Sequence, residues 1–147
     1  MLSLYSDETF MKEAFKQAQY ALEEGEIPIG AVVVCNNKIL ARAYNQTEKL
    51  NDVTAHAEML AITSAANNLG NKYLHDCTLY VTVEPCPMCA GALNWSQIKR
   101  VVYATADEKR GYRKFGNLLH PKTELETGIM QHECADLMSS FFRNKRI

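Results

Sequence analysis

Four residues carry the chemistry this sequence can do: His56 and Glu58, two positions apart, and Cys86 and Cys89, three apart. One imidazole and two thiolates suit zinc. Cysteines three apart share a helix face. At a helix N-terminus the free N–H groups favour the thiolate form that binds metal. Three protein ligands leave the fourth tetrahedral position to water, which marks a catalytic zinc site rather than a structural one. Zinc lowers the pKa of that water towards about 7. Glu58, beside the water and off the metal, is then placed to take its proton and later deliver it to a substrate and its leaving group.

Other uses of these residues explain less. A redox-active CxxC would follow the first strand of a thioredoxin-like unit and leave His56 and Glu58 without a task. A structural zinc site needs a second CxxC or a CxxH, and the sequence has neither. His75, His120 and His132 stand alone and read as surface or core residues. The five cysteines, Cys35, Cys77, Cys86, Cys89 and Cys134, are an odd number in a chain with no export signal, which argues against a disulfide framework.

The elements that must position the four residues follow from apolar spacing. Phe10, Met11, Ala14, Phe15, Ala18, Ala21 and Leu22 recur at helical intervals, with Ser6 as N-cap and Gly25 as stop. GAVVVC and KILARAY flank Asn36–Asn37 as a β-hairpin. A second helix is expected from near Thr54 to Gly70, a strand over 78–83, and a helix opening at Pro85-Cys86-Pro87-Met88-Cys89. A strand over 100–105, an irregular segment over 107–120, a short strand over 125–130 and a last helix complete the chain. In that helix Cys134, Leu137, Met138, Phe141 and Phe142 have helical spacing, and both phenylalanines are expected to anchor it to the core. Strands alternating with helices predict an α/β sandwich around one sheet, and 147 residues fit a single domain over 1–147.

No stretch approaches the roughly 18 apolar residues of a membrane span. The opening MLSLYSDETF lacks the basic and apolar regions of a signal peptide, so a cytoplasmic location is expected. A net charge of −1 does not advertise a nucleic-acid binder. Locally, however, Lys109, Arg110, Arg113 and Lys114 interleave with Tyr112 and Phe115, and Arg143, Lys145 and Arg146 add a basic tail. Cations beside stacking aromatics suit a single-stranded RNA loop, while an ordinary solvated loop is the plainer alternative.

The order H-x-E…P-C-x-x-C is the signature of zinc nucleobase deaminases, including those that act on tRNA. Beyond it, residues from about Phe10 to Arg146 resemble the bacterial tRNA-specific adenosine deaminases. The resemblance is carried by Glu26-Ile27-Pro28-Ile29-Gly30-Ala31-Val32, by Asn45, and by the stretches 51–59 and 79–92 that hold the metal motifs. Glu133-Cys134-Ala135-Asp136 and Phe141-Phe142-Arg143 complete it. It implies a three-layer, cytidine-deaminase-like α/β/α sandwich with a mixed five-stranded sheet, one zinc ion per chain, and a homodimer. It also implies conversion of the wobble adenosine of a tRNA anticodon to inosine. By position, Asn45 would hydrogen-bond the flipped base or its ribose, and the backbone at Ala57 would help recognise the ring. Pro28 and Ile29 would line the pocket, and Asp107 would contact RNA near the target nucleotide. The sequence after Asp107 departs from the family, being shorter and without its Gly-rich loop and Asn-His-Arg stretch. Trp95 and Ala104 resemble the guanine deaminase branch. A free-base or nucleoside deaminase of guanine or cytosine is therefore the alternative. A zinc-stabilised RNA-binding protein without turnover is a third reading, against which Glu58 stands, since a structural site has no use for an acid there.

Overall fold

Alternating inward and outward residues build the central sheet. In a computed structural model that describes residues 4–145, five strands run in the order β2-β1-β3-β4-β5. They are β1 (Gly30–Cys35), β2 (Lys38–Tyr44), β3 (Cys77–Val83), β4 (Arg100–Thr105) and β5 (Glu124–Thr127). β1 pairs antiparallel with β2 and β3, whereas β3–β4 and β4–β5 are parallel. The sheet is mixed and five-stranded, as the resemblance implies. Asn36 and Asn37 both have positive φ (51° and 63°), which gives the hairpin between β1 and β2 its tight twist.

Four helices cover the sheet: α1 (Asp7–Glu23), α2 (Ala57–Leu69), α3 (Pro87–Ser96) and α4 (Gln131–Lys145). The two-residue period of the strands sorts the core into two layers. Ala31, Val33, Leu79, Val81, Val101 and Tyr103 face α2 and α3, meeting Ala57, Ala61, Ala65, Ala90 and Leu93. Val32, Val34, Tyr80, Val102 and Ala104 face the other way, towards Phe10, Met11 and Ala14 of α1 and Cys134 of α4. Small residues one turn apart let α1 and α2 lie close on the strands. At Gly30 the approach is so close that a Cβ would collide with the Ala14 carbonyl oxygen and the Ala18 nitrogen.

Several boundaries differ from the sequence reading. α2 begins at Ala57, not near Thr54, because Asp52 draws Thr54 into an Asx turn, accepting from its N–H and hydroxyl at 2.8 Å each. The last strand covers Glu124–Thr127 rather than 125–130, because Gly128 (φ 96°) and Met130 (φ 60°) turn the chain into α4. Within the segment read as irregular, Tyr112–Phe115 form a 3₁₀ turn. In α4 Phe141 is buried, but Phe142 is 44% exposed and stacks edge-on against Phe141 instead of entering the core. Arg146, the end of the expected basic tail, lies outside the described residues. No helix among them is long and apolar enough to cross a membrane.

Candidate metal centre and active site

Two strand-to-helix junctions build the site. Gln46 donates its N–H to the Ala55 carbonyl (3.0 Å), closing the loop that leads from β2 to His56. His56 is the N-cap of α2, in an extended conformation (φ −74°, ψ 152°). Thirty residues on, the chain leaves β3 through Glu84-Pro85, and Cys86 is the N-cap of α3 (φ −74°, ψ 170°), with Pro87 opening the helix. Neither side chain makes a capping hydrogen bond at its helix start. Both are directed at each other instead, and Cys89, one turn into α3, joins them.

The distances fit zinc. His56 Nδ1 lies 3.6 Å from Cys86 Sγ and 3.5 Å from Cys89 Sγ. With Zn–S of about 2.3 Å and Zn–N of about 2.05 Å, a tetrahedral ion requires an N···S edge of about 3.6 Å. All three donor atoms fall within 4.8 Å of one another, and this is the one such grouping among the described residues. Cys86 is the acidic thiol, drawn down to about 4 by the hydrogen bond from Cys89 and the facing imidazole of His56. The Cys89 thiol is pushed up by that same hydrogen bond and by burial. His56 is raised in turn by its bond to Cys86. Burial pushes Cys77 and Cys134 up to about 12, so these thiols are inert where Cys86 is not.

Glu58 lies in the first turn of α2, just beyond His56, and is 3% exposed. Its Oε1 is the one buried side-chain oxygen or nitrogen without a hydrogen-bond partner among the described residues. A buried polar atom left unpaired is costly unless a ligand completes it. Burial, and to a smaller degree the negative charge at Cys86, raises its carboxyl to about 7. That value suits a group that must both take and give a proton near neutrality.

The residues carried over by resemblance are placed as follows. Asn45 is buried, its N–H donating to the Ile29 carbonyl (3.1 Å) and its side-chain amide reaching the Thr47 hydroxyl (3.5 Å). The first of these bonds ties the end of β2 to Ile29, which is half-buried, and so to its neighbour Pro28, which is buried. Ala57 is fully buried at the first position of α2. Asp107 is half-buried, and its Oδ1 accepts from the N–H groups of Lys109 (3.1 Å) and Arg110 (3.0 Å), so its carboxylate caps a turn. Asp107 also lines an open cavity of about 440 Å³ with Glu84, Tyr103, Arg113 and Lys114, which contains none of the metal-ligating residues. In the basic segment, Phe115 is 60% exposed but Tyr112 is buried, so only one of its two aromatics is free to stack.

Sequence reasoning passed over Glu26 and Glu84. Each is a buried carboxylate that accepts two backbone N–H groups of a loop beside the site. Glu26 takes Glu48 (3.1 Å) and Lys49 (2.8 Å), and Glu84 takes Asp107 (3.1 Å) and Arg113 (2.9 Å). A glutamate immediately before Pro-Cys, in an otherwise apolar strand end, was the available signal.

The class of protein is fixed by this fold and this triad together. Residues 4–105 match the cytidine and deoxycytidylate deaminase zinc-binding region, and the chain belongs to that family. Its likeness to one branch extends almost end to end. It is 47% identical to the tRNA-specific adenosine deaminase of Bacillus subtilis over 95% of this chain and 91% of that one. A solved structure from work on A-to-I editing by tRNA:A34 deaminases at the wobble position superposes with a TM-score of 0.81. That match is at 40% identity and covers 87% of this chain and 97% of the other. The guanine deaminase of Bacillus subtilis is 45% identical with a TM-score of 0.66, over 69% of this chain and 65% of its own. Within the family, the chain groups with the tRNA-specific adenosine deaminases.

Proposed function

We propose that this chain, working as one domain over 1–147, hydrolyses the wobble adenosine of a tRNA anticodon to inosine, with ammonia as the other product. The observation that carries the reaction type is Glu58, a buried carboxyl with an unpaired oxygen beside three donors spaced for zinc. The near full-length likeness to tRNA-specific adenosine deaminases supports the substrate.

His56, Cys86 and Cys89 would hold one zinc ion, which supplies Lewis-acid activation of the attacking water. Glu58 takes a proton from that water as its oxygen adds to C6 of the adenine, and gives it to the ring nitrogen N1. Glu58 would then take the second proton from the oxygen newly bonded to C6 and pass it to the amino group, so that the C–N bond breaks, ammonia leaves and the C6 oxygen becomes the carbonyl of inosine. Asn45 would hold the flipped nucleotide by its amide, with the Ala57 backbone reading the ring edge. Pro28 and Ile29 would wall the pocket, and the turn at Asp107 would meet the neighbouring RNA. A cytoplasmic homodimer completes the proposal. Trp95 (84% exposed) and Met88 (37% exposed) leave apolar surface on α3 that a second copy would cover.

Incubation of the zinc-loaded protein with an anticodon stem-loop, beside guanine and cytosine as competitors, tests the reading: inosine in the RNA is expected. Release of ammonia from free guanine with no inosine would favour the second reading, a guanine deaminase, which the partial likeness to that enzyme supports.

A further inference from the structure

The chain's basic 107–113 segment is joined to its metal motif by three backbone hydrogen bonds, and two of them end on one side chain. Glu84 leaves β3 with its N–H still paired to the Thr105 carbonyl (2.8 Å), which fixes the direction of its side chain. Its Oε1 accepts from Asp107 N–H (3.1 Å) and its Oε2 from Arg113 N–H (2.9 Å), so one carboxylate grips both ends of the segment. The next residue, Pro85, takes the third bond through its carbonyl from Tyr112 N–H (2.9 Å). Gly111 packs flat on the carboxylate: a Cβ there would overlap the Glu84 carboxyl carbon and Oε2. Tyr112 is buried beneath, and the Arg113 guanidinium turns back to the Tyr103 hydroxyl (3.1 Å). Lys109, Arg110 and Lys114 are left exposed to solvent. Glu84 is buried, touches none of the three metal-ligating residues in these bonds, and has no role in the reaction steps above.

We infer that Glu84 is a positioning residue. It pins the 107–113 segment to the two residues that precede Cys86, so that the segment's exposed cations and the metal centre engage one RNA strand in fixed register. The inference rests on the tRNA reading, because only a substrate with phosphates beyond the target nucleotide reaches those cations. A free base would be indifferent to where they lie. Two residues of separation leave little slack between Glu84 and Cys86, so a displaced segment cannot be corrected by movement of the metal motif.

The test compares zinc-loaded wild type, Glu84→Gln and Gly111→Ala for kcat and KM on an anticodon stem-loop across a salt series. Glu84→Gln turns one acceptor into a donor that faces a backbone N–H. Gly111→Ala keeps the carboxylate and pushes the segment off it. Both variants are expected to raise KM about tenfold, the loss of about one hydrogen bond to a charged group. They should change kcat less than about threefold and leave the zinc content at the wild-type value. The slope of log(kcat/KM) against log[salt] should become shallower by about 0.7 for each phosphate of the single strand that no longer meets a cation. A merely structural role would not move that slope. An unchanged KM and slope would overturn the inference, as would kcat and zinc content falling together at constant KM. Should Glu84→Gln fail to fold, Gly111→Ala carries the test with a second arm. Removing Lys109 and Arg110 together should raise KM in the wild type and have little further effect in Gly111→Ala, and equal penalties in both backgrounds would sink the idea. Wild type that makes no inosine is a separate failure, that of the tRNA reading, and is read before any variant.

Discussion

α1 and the pair α2/α3 begin in opposite ways. At α1, Ser6 is a conventional N-cap: its Oγ accepts from Thr9 N–H (3.1 Å), and Asp7 and Glu8 place negative charge in the first turn. At α2 and α3 the N-cap residues are His56 and Cys86, which turn their side chains to the metal triad and leave their helices without a side-chain cap. A cap is worth about 1 kcal/mol. Two helices forgo it, and their first side chains join Cys89 in a group that could hold a metal ion, while α1 keeps its cap.

The widest separation between these helix starts is expected on ligand removal. His56→Ala or Cys89→Ala should weaken zinc affinity by more than about 100-fold, since even outer-shell changes cost 10–100-fold. Activity should vanish with the metal, as measured by zinc stoichiometry beside turnover. Glu58→Gln sharpens the division of labour within α2. Zinc should stay bound while kcat falls by about 10²–10⁴-fold, and unchanged turnover in that variant would make the proposed proton path wrong. Stability tells the converse story. Ser6→Ala should cost about 1 kcal/mol, while His56→Ser should stabilise the metal-free protein by up to about 1 kcal/mol; urea unfolding of both checks this. A loss at position 56 as large as at position 6 would break the contrast.

The smallest effect belongs to α1's own electrostatics. Asp7 accepts from Arg100 Nη1 and Nη2 (2.7 and 2.8 Å) and from the Tyr80 hydroxyl (2.7 Å). The Arg100 bond holds its carboxyl below the usual range against partial burial. A depressed folded-state pKa means stability that is present above the unfolded value of about 3.9 and is lost as pH falls through the lower folded value. Melting temperature should therefore drop on acidification below about pH 4 more steeply in wild type than in Asp7→Asn, by less than about 1 kcal/mol for a pair this exposed.

How much of this was legible in the sequence depends on what each residue type can report. The grouping of His56, Cys86 and Cys89 was readable because few residue types can hold zinc and their spacing is local. The strands were readable from runs such as GAVVVC and RVVYAT, whose two layers match the observed core. The start of α2 was not, because the competing Asx turn at Asp52 depends on one side chain outcompeting a helix for the same N–H. The end of β5 was hidden by two positive-φ residues, one of them Met130, a type that gives no warning. Tyr112 and Phe115 look alike in sequence, yet Tyr112 joins the core, its N–H held by the distant Pro85 carbonyl, and Phe115 stays on the surface. Glu26 and Glu84 sat in the stretches that carry the resemblance but had no assigned role, because an acid reads as surface until its partners, more than twenty residues away, are known.

The missing methyl group at Gly30 reaches further than its own surroundings. Gly30 opens β1 directly after Pro28 and Ile29, and its N–H is held by the Thr82 hydroxyl (3.1 Å). Any side chain there would lever α1 away from the sheet or drive the strand forward, and the adjoining pair of residues would move with it. The distance between α1 and the Pro28–Ile29 pair is thus gauged by a single hydrogen atom.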